Sequence, residues 1–186
     1  MDAEVIVAIA IVIVVLAALA VYAIVRSRRR KHLRERFGAE YDRTIDLSDS
    51  TRDAERDLAE RERVREDLEL RELSEAERSR YREQWDVIQA TFVDRPHSAV
   101  RDADILVARV MRDRGYPVDD FEQQADLVSV DHPEIVSNYR TAHDISVRNE
   151  TNGVTTEEER EAIIHYRALF DELLGADRSV DHGRPS

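Results

Sequence analysis

The chain has 186 residues, of which 37% are charged, a formal net charge of −12 and no cysteine. The lack of Cys excludes a disulfide framework, a thiolate nucleophile and Cys-ligated zinc or iron–sulfur centres. With five Gly in total, no Gly-rich phosphate loop can be formed, and neither the phosphate-loop string nor the nucleophile-elbow string occurs.

Met1 to Glu4 precede Val5–Val25, a run of 21 residues without a charge. At 1.5 Å rise per residue such a run makes roughly 30 Å of helix, the thickness of a hydrocarbon core. It predicts an uncleaved transmembrane helix. A signal peptide would need a basic start, and the apolar run continues past Ala18-Leu19-Ala20. The run holds no Gly and no ionisable residue, so it carries neither a GxxxG contact nor a proton relay. No Lys or Arg precedes it, whereas Arg26, Arg28, Arg29, Arg30, Lys31, Arg34 and Arg36 come directly after it. The positive-inside rule then puts residues 1–4 outside and the rest of the chain in the cytoplasm. The same basic cluster is expected to face anionic lipid headgroups. From Phe37 onward there are 21 basic and 37 acidic residues, an acidic balance that argues against nucleic acid as a partner.

Residues 26–49 read as a basic juxtamembrane helix and then a break. Leu33 to Asp46 is expected to continue as helix, with Phe37, Tyr41 and Ile45 on one side and Gly38 weakening it; Asp46 to Ser50 reads as the break, and Ser48 or Ser50 caps the next helix. Residues 50–73 read as a charged helical arm whose stripe of Ala54, Leu58, Val64 and Leu68 is interrupted by Arg61 and Arg65, too poor for a coiled coil.

Residues 74–175 read as an all-α bundle of about five short helices. Ser74 with Glu77 forms a capping box ahead of a stripe of Tyr81, Trp85, Ile88 and Phe92. A helix from about His97 buries Ala99, Val100, Ala103, Leu106, Val107, Val110 and Met111 and stops at Gly115. Asp119 or Asp120 caps a short helix over Phe121–Leu127. Asp131-His132-Pro133 is expected to open the next one, with Ile135, Val136, Tyr139, Ala142 and Val147 as its apolar side. Asn152-Gly153 marks a turn. Thr155 and Glu158 cap a final helix facing inward with Ala162, Ile163, Tyr166, Leu169, Phe170, Leu173 and Leu174, and ending at Gly175. Residues 176–186 read as a disordered tail.

His143 sits inside the apolar side of its helix, which allows either a hydrogen-bonded core residue or, with Tyr139 and Asp131, a ligand- or pH-sensing site or a small enzyme's site. No metal-ligand spacing occurs among the six His. The expectation is a non-enzymatic chain without a cofactor. Tyr116, Pro117, Val118 and His132 are candidate contacts with a partner, the alternative being that these loop residues pack on the bundle.

Several strings resemble those of a family of bacterial single-pass membrane proteins that carry a helical cytoplasmic domain and have no assigned activity. They are Phe37-Gly38 with Glu40-Tyr41-Asp42-Arg43, Phe92-Val93-Asp94, Arg114-Gly115-Tyr116-Pro117, Ser129-Val130-Asp131-His132-Pro133, Tyr139-Arg140 with Ala142-His143, and His165-Tyr166-Arg167-Ala168-Leu169-Phe170. The resemblance spans about residues 33–174. It implies a bacterial inner-membrane location and transfers no functional residue. A protein–protein interaction or scaffold module tethered to that membrane is the leading expectation. A ligand or pH sensor, and a homo-oligomeric spacer, are the alternatives.

Overall fold

A computed structural model describes residues 3–151 and 153–175, with side chains from Ile11 onward; Met1 and Asp2, Asn152 and the tail at 176–186 lie outside the described residues. All eight elements among them are helices: α1 (Ala3–Phe37), α2 (Ala39–Leu47), α3 (Thr51–Glu66), α4 (Glu75–Asp94), α5 (Pro96–Arg114), α6 (Phe121–Asp131), α7 (Val136–Asn149) and α8 (Thr156–Leu174). The chain forms two compact units, Met1–Ala59 and Glu60–Ser186, so the boundary falls inside α3.

In the first unit, α1 is 35 residues long, roughly 50 Å at 1.5 Å per residue. It is long and apolar enough to cross a membrane, and its side chains from Ile11 through Val25 are all exposed. The helix does not run on to Asp46. It ends at Phe37 because Gly38 adopts φ 51°, a backbone that side-chain-bearing residues rarely take. The chain then reverses. Arg34 on α1 lies 3.8 Å from Asp42 on α2, and Arg30 Nε donates to Tyr41 Oη at 3.3 Å. Ser50 starts α3 by accepting the Asp53 amide at 3.2 Å. Leu33, Phe37, Tyr41, Ala54 and Leu58 are the buried apolar residues of this unit.

In the second unit, α5 is central and packs on α4, α7 and α8; α7 packs on α8, and α6 on α7. The core joins Tyr81, Trp85 and Ile88 of α4 to the expected inward faces of α5 and α8. Trp85 stacks on Phe170 at 4.8 Å between ring centroids. Both expected capping boxes are formed, and Gly115 and Gly175 end their helices in the left-handed conformation.

Four local readings are corrected. The C-terminal part of the expected arm belongs with the bundle: Leu73 is buried, and Val64, Leu68 and Leu70 pack on the core. Helix α6 is longer than Phe121–Leu127: Leu127 and Val128 join the core and Val130 is also buried. Asp131 therefore lies in the last turn of α6 rather than capping α7. Pro133 disfavours helix at His132, so the chain turns there and α7 starts at Val136. On α7, Val147 is 52% exposed while Ile145 is buried, since the two residue steps between them turn the helix by about 200°, to the opposite side.

Candidate functional site

The residues singled out on the bundle fall into two separate clusters. The first is centred on Asp104 of α5. Tyr166 Oη on α8 donates to Asp104 Oδ1 at 2.6 Å, and His143 Nδ1 on α7 lies 3.4 Å from the same oxygen. The Phe121 ring lies parallel to the His143 ring, 3.6 Å between centroids. Tyr139 is buried and donates to Gln124 Oε1 at 2.8 Å. Burial, then the Asp104 carboxylate, push both the Tyr139 and Tyr166 hydroxyls well above their ordinary range. Both therefore remain protonated donors. One carboxylate thus ties three helices together, and His143 is half-buried with one face and one nitrogen engaged.

Asp131 does not join His143 and Tyr139. It sits ten residues beyond Phe121 on α6, roughly 15 Å along the axis. There it accepts from Tyr116 Oη at 2.9 Å and from Arg65 Nε of α3. Asp126, one turn earlier, takes Arg61 at 2.9 Å and Arg140 at 3.0 Å. The arginines that break the apolar stripe of α3 are what fix its end to α6. Their side chains are mostly buried, at 11% and 23% exposure.

The expected partner-contact residues turn inward. Tyr116 is 3% exposed and His132 8%, while Pro117 and Val118 are half-buried and Val118 packs on the core. The reason is chemical: the Tyr116 hydroxyl and the His132 imidazole each have a carboxylate to reach. His132 Nδ1 lies 3.0 Å from Glu172 Oε1, beside a cavity of about 250 Å³ that Arg78 and Arg114 also line. Burial lowers the His132 pKa, outweighing the opposite pull of Glu172 and Asp131.

Exposed apolar surface lies elsewhere. Val87 on α4 and Ile105 on α5 are 66% and 47% exposed. With Ile88 and Leu106 they line a groove of about 270 Å³ rimmed by Gln84, Asp102 and Arg109. Sequence reading missed it because both residues sit one step off the buried stripes.

On the first unit, the basic cluster is only partly neutralised. Lys31 lies 3.7 Å from Glu35 and Arg34 3.8 Å from Asp42. Arg30 reaches Tyr41 and, at 3.9 Å, Glu55. Arg28 and Arg29 have no carboxylate partner among the described residues. A cavity of about 310 Å³ opens here, lined by Tyr22, Val25, Arg26, Arg29, Arg52, Glu55 and Arg56. Arg52 and Arg56 come from the start of α3 and were assigned to the arm by sequence. Their one-turn spacing just after a Ser cap was the available signal.

Among the described residues, no three His, Asp or Glu side chains converge as metal ligands would. The class defined is therefore an all-helical bundle with one helix able to cross a membrane. No family model matches the chain, nor does any curated protein or any solved structure.

Proposed function

We propose that the chain is a membrane-anchored interaction module of the bacterial inner membrane, with α1 as a single span, the N-terminus outside and the helical bundle in the cytoplasm. The observation that carries the reading is the contrast within α1. Its charge-free stretch is exposed throughout its described length, and seven cations come directly after that stretch, an arrangement suited to lipid on one side and a cytoplasmic surface on the other. Several of the bundle's charged and polar side chains hold helices together, and one accessible apolar feature is the α4–α5 groove. Such a groove suits the apolar ridge of a helix from a second protein. A shared membrane raises the effective concentration of that protein.

Two measurements test this. The chain lacks Cys, so single cysteines report topology cleanly. Asp2→Cys is expected to react with an impermeant maleimide from outside, and Asp49→Cys only after the membrane is opened; the reverse pattern overturns the orientation. A photo-crosslinking side chain at Val87 or Ile105, in native membranes, should give a discrete adduct that the same group at Glu122 does not. No adduct at either groove position overturns the docking role.

A further inference from the structure

The cavity at the end of the span combines features that a basic cluster alone does not. Its lining brings four arginines from two different helices to one place: Arg26 and Arg29 from α1, Arg52 and Arg56 from α3. All four are exposed. The carboxylate of the lining, Glu55, is 8% exposed. It accepts from Tyr41 Oη at 3.2 Å, faces Arg30 at 3.9 Å and also acts on Arg26, so the lining sets four cations against one carboxylate. Arg26 donates to Tyr22 Oη at 3.4 Å, and Arg56 donates to Asp53 at 3.0 Å. Arg29 and Arg52 have no carboxylate partner among the described residues. The inner wall is Tyr22 and Val25, the last turn of the charge-free run. An aromatic at that position belongs to the interfacial belt of a span. The fold-back at Gly38 is what returns the start of α3 to this level, since Arg52 and Glu55 line the cavity with Tyr22.

We propose that this cavity is a binding site for the headgroup of an anionic phospholipid. The four guanidinia hold the phosphate, and Tyr22 and Val25 lie against the glycerol and the first acyl carbons. Guanidinium suits the role because its planar donors match phosphate oxygens in pairs and it stays charged at any accessible pH. The volume is at the lower end of the roughly 300–1,000 Å³ typical of small-ligand pockets, in keeping with a headgroup rather than a whole lipid. The inference rests on α1 crossing the membrane.

The test uses the full chain in vesicles of phosphatidylcholine, with and without a minor fraction of phosphatidylglycerol. A spin-labelled phosphatidylglycerol reports the immobilised lipid. Resistance of the chain to alkaline extraction is read first, because its loss would overturn the span rather than the site. With the span in place, Arg52→Gln/Arg56→Gln is expected to lower the preference for the anionic lipid roughly ten- to thirty-fold, each surface cation contributing about a factor of five. Arg52→Lys/Arg56→Lys, which keeps the charge, should retain most of it. Arg28→Gln/Lys31→Gln removes the same charge outside the cavity and should cost clearly less. Equal losses in the two Gln pairs, or none in the first, overturn the site in favour of a diffuse field. Abolition of the preference by inorganic phosphate, but not by chloride at equal ionic strength, assigns the cavity to a soluble phosphate and overturns the lipid.

Discussion

The two units use the same chemistry to opposite ends. In the second, carboxylates sit between helices and are answered from two sides. Asp104 joins α5 to α7 and α8, and Asp126 and Asp131 receive α3 and α7 on α6. In the first, cations gather at the end of an apolar helix, and two of them, Arg28 and Arg29, are exposed with no carboxylate partner among the described residues. These carboxylates are half-buried, at 20% to 30% exposure, and a carboxylate drawn out of water is tolerated when paired and hydrogen-bonded, as each of these is by a neighbouring helix. Exposed pairs contribute little to stability. Arg28 and Arg29, exposed and without a carboxylate partner among the described residues, are the cations of the first unit best placed to meet a surface outside the protein.

If that contrast is right, the largest effects come from the bundle's core. Phe170→Ala removes the ring stacked on Trp85 and should cost about 3–5 kcal/mol, read as an earlier urea midpoint and a red shift of the single tryptophan. Asp104→Ala leaves the Tyr166 hydroxyl without its acceptor and should cost about 1–3 kcal/mol. Asp104→Asn keeps an acceptor and should cost less, and equal losses would show that charge rather than hydrogen bonding matters there. Gly38→Ala tests the first unit. No atom lies within 4 Å of the added carbon, so the cost is that of the backbone at φ 51° and ψ −123° alone, about 1–3 kcal/mol. It should widen the spin-label distance between α1 and α3 without moving the Trp85 spectrum.

The smallest expected effect is a pH slope. His132 has its pKa held below the ordinary 6.5 by burial, with Glu172, Asp131 and Arg114 facing it. The folded state thus binds fewer protons than the unfolded one just below pH 6.5. The stability it contributes is present above that value and is lost as the pH falls. His132→Gln should flatten the midpoint's dependence on pH between neutral and mildly acidic conditions. An unchanged slope would place the acid response elsewhere.

What was legible in the chain is what repeats along one helix. The caps at Ser74 and Thr155, the stops at Gly115 and Gly175, and the buried faces of α5 and α8 are set by local spacing. The candidate site was not legible, because it depends on which helices meet. Asp131 and His143 looked like neighbours on one helix, and the turn at Pro133 puts them on different ones. Nothing in the spacing of α5 singles out Asp104, because its donor, Tyr166, lies 62 positions away. Arg61 and Arg65 looked like defects in an apolar stripe, and only their distant acids on α6 show them to be attachments.

The cations number 27 arginines and one lysine, Lys31, whose side chain is 74% exposed five residues past the span's first arginine. Guanidinium groups ignore the reagents that acylate amines. The bundle is therefore blind to such reagents, and apart from the chain's own amino terminus every amide they form is written at one place. A dye or acyl group attached there would read the environment of that single rung of α1, with no engineering of the sequence.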